Sequence, residues 1–76
     1  MMKITGTNSY IVLDIDGRKI KVQGEMVVGG FIAEINTMQQ FEPPYENITL
    51  TESVKEMYIN EAVKKTANSH MIIRFV

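Results

Sequence analysis

Residues Tyr10–Gln23, YIVLDIDGRKIKVQ, carry the strongest secondary-structure signal in the chain. Polar and apolar residues alternate on both sides of Asp16-Gly17, a pair that suits the centre of a type I′ turn, where both residues need positive φ. The stretch therefore predicts a β-hairpin with strands at 10–15 and 18–24. The turn fixes the register, and the expected pairs are Tyr10/Gln23, Ile11/Val22, Val12/Lys21, Leu13/Ile20, Asp14/Lys19 and Ile15/Arg18. One face of the hairpin is then apolar and the other is charged.

A shorter strand is expected at 2–6, ahead of the hairpin. A two-residue turn at Thr7-Asn8 would pair this strand with residues 10–15 in antiparallel fashion. The expected cross-strand pairs are Ile4/Ile11 and Met2/Leu13. Both turns then place apolar residues on the same side, which is the consistency expected of a three-stranded meander.

Two further strands are predicted after the hairpin. Gly29-Gly30 indicates a tight reversal. The next residues, 30–35, alternate so that the apolar side chains at positions 31, 33 and 35 share a face. We expect one strand at 30–35 and another at 38–41 after a kink.

The second half of the chain predicts a stiff loop, a helix and a final strand. Pro43-Pro44 excludes helix and interior strand, because proline lacks the N–H and restricts the residue before it. Thr49-Leu50-Thr51-Glu52 fits a capping box, with Thr49 as the helix cap. We therefore expect a helix at 50–67 and a strand at 71–76.

These elements predict an α+β fold in a single domain spanning residues 1–76. The expected sheet has four or five mostly antiparallel strands, and one helix packs on its apolar face. Because a single helix covers only one face of a sheet, the opposite face should be exposed to water.

The net charge of the chain is −1, but the charges are unevenly distributed along the sequence. Residues 25–61 contain seven glutamates and one lysine, which gives −6 for this segment. Such an imbalance could steer a basic protein partner, although an acidic surface also serves solubility. The net charge of −1 gives no case for general binding of nucleic acid.

The composition offers little for catalysis or for cofactor binding. The chain has no cysteine and a single histidine, His70, so it has no disulfide, no thiolate zinc site and no cysteine nucleophile. A chain of 76 residues also has little core with which to enclose a substrate pocket. We expect no enzyme activity, no cofactor and no metal site.

The sequence predicts neither export nor insertion into a membrane. The first residues, MMKITG, lack a charged segment followed by an apolar run. No later stretch approaches the roughly 18 apolar residues that cross a membrane. We therefore expect a cytoplasmic location and no membrane partner.

The best candidate for a partner-binding site is the loop Phe41–Glu46. Proline rigidity lowers the cost of ordering a loop on binding, and Tyr45 is an aromatic anchor between two carboxylates. The expected contact surface consists of Glu34, Glu42, Tyr45, Glu46, Glu52 and Glu56. The alternative is that Phe41 and Tyr45 only seal the sheet edge beneath the helix.

The same region carries a resemblance to a known family. The ordered features are Gly24-Glu25, a strand near 31–35, the segment Phe41–Tyr45, Ile48-Thr49 before the helix, and a final apolar strand. In this order they resemble the small bacterial immunity proteins of polymorphic toxin systems classed as immunity protein 74. The resemblance covers about residues 10–76 and implies a non-catalytic cytoplasmic inhibitor that binds a cognate toxin.

Two other functions remain open from the sequence. The first is nucleic-acid binding through the wet sheet face that carries Lys3, Lys19 and Lys21, although one tyrosine beside three lysines makes a poor stacking platform. The second is a structural or regulatory subunit that adds an exposed strand, such as 71–76, to a partner or to its own copy.

Overall fold

In the computed structural model, which describes residues 1–76, the chain forms a five-stranded mixed sheet with one helix packed against it. The elements are β1 (Met2–Gly6), β2 (Tyr10–Ile15), β3 (Arg18–Val27), β4 (Gly30–Ala33), a 3₁₀ helix (Ile35–Thr37), α1 (Glu52–Thr66) and β5 (Ile72–Phe75). The strands lie in the order β1-β2-β3-β4-β5, and only β4 and β5 pair in parallel. The α+β fold, the N-terminal meander and the single packed helix are confirmed.

The β2–β3 hairpin has the predicted register at all six pairs. The two turn residues have positive φ, 52° at Asp16 and 88° at Gly17, as a type I′ turn requires. The Gly17 N–H also donates to Asp14 Oδ1 at 2.9 Å. The local sequence therefore accounts for this hairpin.

The predicted register of β1 is wrong by two residues. Ile4 lies opposite Leu13 rather than Ile11, and Met2 lies opposite Ile15 rather than Leu13. The connection is longer than two residues, because residues 8 and 9 extend the pairing with β3: their carbonyl groups accept from Met26 and Gly24 N–H at 3.2 and 3.0 Å. Since side chains alternate with a period of two, a shift of two leaves the apolar residues on the predicted face.

Strand β3 runs three residues beyond its predicted end and changes partners at Gly24. Residues 18–23 pair with β2, whereas residues 24–27 pair with β4. A Cβ at Gly24 would overlap the Ile32 carbonyl oxygen and the Phe31 ring. Glycine at this position lets β4 pack closely against β3.

The strand predicted at 38–41 is not formed. Because β4 pairs only with the second half of β3, the first half is left with a free edge, and residues 34–42 follow it as 3₁₀ helix and loop. The loop is held to β3 by three single contacts. Gln23 N–H donates to Thr37 Oγ1 at 2.9 Å, and Phe41 forms one β-bridge with Ile20. Glu42 N–H donates to the Lys19 carbonyl at 2.8 Å.

Helix α1 buries Tyr58, Ala62 and Thr66 against the sheet. Its N-cap is Thr51 rather than the predicted Thr49, and Thr51 Oγ1 accepts from Val54 N–H at 3.2 Å. The helix is neither long enough nor apolar enough to cross a membrane. The apolar core consists of Met2, Ile11, Leu13, Ile20, Val22, Phe31, Ala33, Met38, Phe41, Tyr58, Ala62 and Ile73.

Candidate protein-binding surface

The loop that follows Phe41 projects Tyr45 beside the tip of the β2–β3 hairpin. Two successive turns shape it: Tyr45 N–H donates to the Glu42 carbonyl and Ile48 N–H donates to the Tyr45 carbonyl, both at 3.0 Å. Phe41 is buried in the core, whereas Tyr45 remains half-buried. The two aromatic residues therefore differ in role, because Phe41 seals the sheet edge and Tyr45 retains a solvent-facing surface.

Tyr45 forms part of an open, largely apolar groove of about 500 Å³ between the hairpin tip, the loop and the start of α1. The Arg18 guanidinium lies 5.4 Å from the centre of the Tyr45 ring, within the range of a cation–π contact. Ile48 and Met57 also line the groove and are 40% and 44% exposed. The other lining residues are Ile15, Asp16, Phe41, Thr49, Val54 and Tyr58.

Tyr58 supports the groove from within the core. Its ring meets Phe41 edge-on, with the two centroids 6.0 Å apart, and its hydroxyl donates to the Arg18 carbonyl at 2.9 Å. Burial raises the pKa of Tyr58 above its ordinary value of 10, and the nearby charge of Arg18 offsets part of the rise. Tyr58 thus connects the helix to the strand that carries Arg18.

Two of the predicted contact residues surround the same lysine. Lys55 Nζ lies 3.9 Å from Glu52 Oε1, and Glu34 lines a shallow hollow together with Lys55. Glu52 therefore forms an ion pair with Lys55, which exposure to water keeps weak, whereas Glu34 only shares a hollow with this lysine. Glu34 and Glu52 lie outside the groove of Tyr45.

Glu42 lies against the outer face of the sheet, the face opposite α1. It lines one hollow with Lys3 and Lys19, and a second hollow with Lys21. The charge of Glu42 therefore faces lysines from the N-terminal segment. At Glu42, therefore, lysines offset part of the −6 charge of residues 25–61.

The remaining predicted acids are exposed near the groove. Glu46 directly follows Tyr45 in the loop. Glu56 lines a hollow with Glu61 and with Met57, which also lines the groove. The predicted residues thus separate into Tyr45, Glu46 and Glu56 around the groove, Glu34 and Glu52 around Lys55, and Glu42 on the outer face.

Sequence reasoning missed Arg18, Ile48 and Met57 as groove residues. Met57 carried a signal, since it is an apolar residue that lies among Glu56, Asn60 and Glu61 on α1. Arg18 and Ile48 carried none, because their proximity depends on how the loop at 42–50 folds onto the hairpin tip.

The lysine-bearing outer face also carries acidic residues. Asp14 is the cross-strand neighbour of both Lys3 and Lys19. With Lys21 and Glu42, this part of the face has three positive and two negative charges. A net charge of +1 gives weak electrostatic support for nucleic-acid binding.

Strand β5 is one edge of the sheet, but one of its edge donors is already occupied. Thr66 Oγ1 accepts from Ile73 N–H at 3.2 Å and donates to the Ala62 carbonyl at 2.8 Å. A side chain that bonds to the strand in this way occupies a position that a pairing strand would need. This contact counts against the addition of a partner strand at β5.

Nowhere in residues 1–76 do three or more histidine, cysteine, aspartate or glutamate side chains gather closely enough to hold a metal ion. The groove of Tyr45 offers aromatic, aliphatic and charged contacts, which suit protein recognition.

The chain matches a known protein family. Neither the curated proteins nor the solved structures include a match to this chain. The family described as immunity protein 74 matches residues 3–76, which extends the resemblance found in the sequence through most of β1. The chain therefore belongs to the immunity protein 74 family.

Proposed function

We propose that this chain binds a cognate toxin in the cytoplasm and neutralises it by contact, without catalysis of its own. Membership of an immunity protein family supports a toxin as the partner. The observation that carries the choice of surface is the groove of Tyr45, in which an aromatic ring stacked by Arg18 lies beside the exposed side chain of Met57. Tyrosine, arginine and methionine are enriched at protein interfaces, and tyrosine and arginine often dominate the binding energy.

The proposed contact surface has a centre and a rim. Tyr45 and the groove form the centre, where a partner side chain would be shielded from water. Glu46 and Glu56 form the near rim, because Glu46 follows Tyr45 in the loop and Glu56 shares a hollow with Met57, which lines the groove. The outer acidic contacts in this proposal are Glu34, Glu42 and Glu52.

The exposed acidic rim suits a toxin with a basic surface. Opposite charges on two partners speed their encounter and help to select the correct pair, and salt screens this effect. We therefore expect the association rate to fall as ionic strength rises, with a smaller change in the dissociation rate.

The decisive experiment measures binding to the toxin domain encoded by the neighbouring gene. Binding of the unaltered protein to this domain, measured by calorimetry, is compared with that of a variant in which Glu42, Tyr45 and Glu46 are all alanine. We expect the variant to keep its fold and to bind at least about 30-fold more weakly, which corresponds to about 2 kcal/mol. Tyr45→Ala alone should account for most of the loss.

Glu25→Gln is a matched control, because Glu25 is an exposed glutamate near the far end of β3. It should leave toxin affinity unchanged. Equal affinity of the triple variant and the unaltered protein would exclude this surface. A toxin domain that does not bind the unaltered protein would exclude the proposed function for that pair.

A further inference from the structure

The outer face of the sheet has an apolar half that nothing in the chain covers. It lies on the second half of β3, on β4 and on β5. One cross-strand row places Ile32 between Glu25 and Arg74, and the next places Gly30 between Val27 and Ile72. Phe31, Ala33 and Ile73, which alternate with these residues, are buried on the opposite face.

The apolar side chains in this half remain partly exposed to water. Ile72 is 43% exposed, and Ile32 and Val27 are intermediate in exposure. Val28, at the adjacent turn, is fully exposed. These neighbouring side chains form an apolar strip on the sheet face, and a partner that packed on it would remove it from water.

We propose that a second copy of this chain packs on this strip, related by a two-fold axis parallel to β4. The order of charges across the first row supports this occupant, because Glu25 and Arg74 lie on opposite sides of Ile32. Rotation about an axis along the central strand places each Glu25 over the Arg74 of the other copy. The two Ile32 side chains then meet at the axis.

The second row is self-complementary about the same axis. Val27 of each copy meets Ile72 of the other, so apolar residues face apolar residues. Gly30, between them, has no side chain to hold the two sheets apart. All the contacts are reciprocal, as an isologous two-fold interface requires, and the geometry is that of two sheets packed face to face.

The other two-fold arrangement is unfavourable. An axis between the two sheets that is perpendicular to the strands, and so runs along the first row, would place Glu25 against Glu25 and Arg74 against Arg74. Like charges in direct contact across an interface cost several kcal/mol. The charge order therefore selects one orientation of the dimer.

The proposed dimer leaves the toxin-binding groove free. Arg18, in the groove, and Glu25, in the strip, are seven residues apart on β3, or about 23 Å at 3.3 Å per residue. The strip is small, so the dimer should be weak and reversible, with a dissociation constant in the micromolar to millimolar range. The dimer and the proposed toxin complex can therefore succeed or fail independently.

A charge-swap experiment tests the proposal on the full chain. Sedimentation velocity over a concentration series is compared for the unaltered protein, Glu25→Arg, Arg74→Glu and the double variant. Each single swap places like charges together at both symmetric contacts, so the dimer dissociation constant should rise by at least about tenfold. The double variant restores opposite charges and should dimerise about as well as the unaltered protein.

Far-UV circular dichroism and thermal melting check that all four proteins fold alike. A monomer at every concentration up to the millimolar range overturns the proposal. Dimerisation that the single swaps do not change, or that the double variant does not recover, also overturns it, since the copies would then meet through another surface. Toxin affinity should be the same for the single swaps and the unaltered protein.

Discussion

The β2–β3 hairpin and the segment at 34–51 lie side by side, yet they are specified in different ways. The hairpin follows from its own residues, because Asp16-Gly17 sets a turn whose geometry fixes every pair. The segment has one bridge to β3, a few backbone hydrogen bonds and a short 3₁₀ helix. It adopts its path because β4 does not extend along the first half of β3, whose edge opposite β2 is therefore left without a strand.

The two regions contribute differently to the proposed binding site. The hairpin supplies a rigid edge and Arg18, whereas the segment supplies Tyr45 and Ile48. A loop held by a few anchors can change its surface residues while the sheet is kept. We expect its anchors to be sensitive to substitution and the residues between them to be tolerant.

The largest effect is expected from Phe41→Ala in the segment. The Phe41 side chain is buried against Tyr58, and the cost of removing it is about 3–5 kcal/mol, from lost burial and the cavity left behind. A chain of this size has only a few kcal/mol of stability, so the variant should be largely unfolded at 25 °C. Urea denaturation followed by circular dichroism measures the loss. Gln40→Ala, at the exposed neighbouring position, is the control and should have the same urea midpoint as the unaltered protein. Equal midpoints for all three proteins would contradict the role of Phe41 as an anchor of the segment.

The next largest effect is expected at Gly24, where the pairing of β3 changes from β2 to β4. Gly24→Ala places a Cβ against the Ile32 carbonyl oxygen, which belongs to backbone and cannot rotate away. We expect a loss of about 2–3 kcal/mol in the free energy of unfolding, measured by chemical denaturation. Gln23→Ala changes an exposed side chain one position earlier and should stay within about 0.5 kcal/mol. A neutral Gly24→Ala would show that β4 does not need this close approach.

A smaller effect is expected within the hairpin turn. Gly17→Ala forces a residue with a Cβ to adopt a φ of 88°, and this should cost about 1 kcal/mol. Nothing lies within 4 Å of the added Cβ, so the loss reports backbone conformation alone. Thermal melting gives the measurement. Asp16→Gly, at the other positive φ, should be nearly neutral, and a larger loss there than at Gly17 would contradict the type I′ assignment.

The smallest effect is expected from Tyr58, and it appears only at high pH. Since burial raises the pKa of Tyr58 in the folded chain, the unfolded chain ionises first when the pH rises above 10. The stability contributed by this difference is complete below pH 10 and is lost as the pH rises through the folded pKa. Denaturation curves at pH 9 to 11 measure it. Tyr58→Phe retains the ring and should lose less stability over that interval; identical pH profiles would contradict the burial effect.

Local chemistry made the hairpin, the helix and the fold class predictable from the sequence. The register of β1 was not predictable, because carbonyl groups in its turn bond to Gly24 and Met26, which lie outside the local sequence. The strand expected at 38–41 had a suitable composition, but the sequence did not reveal that β4 would pair with only half of β3.

The candidate site was predicted less completely than the fold. Tyr45 was identified because proline rigidity and an aromatic residue coincide in the loop. The charge sum for residues 25–61 could not show that Glu42 faces lysines or that Glu34 and Glu52 share Lys55. These proximities arise between residues distant in sequence, and a count of charges along the chain does not contain them.

The parallel pairing of β4 with β5 has a consequence for biosynthesis. Gly30 pairs with Ile72, which lies 42 residues later in the chain, so this part of the sheet can form only after β5 has been synthesised. The three-stranded meander can form while synthesis continues, because its contacts are local, whereas closing the long β4–β5 loop must wait. A nascent chain that is released early should therefore keep its meander but lose the strand against which the helix packs, and we expect proteases to remove it quickly.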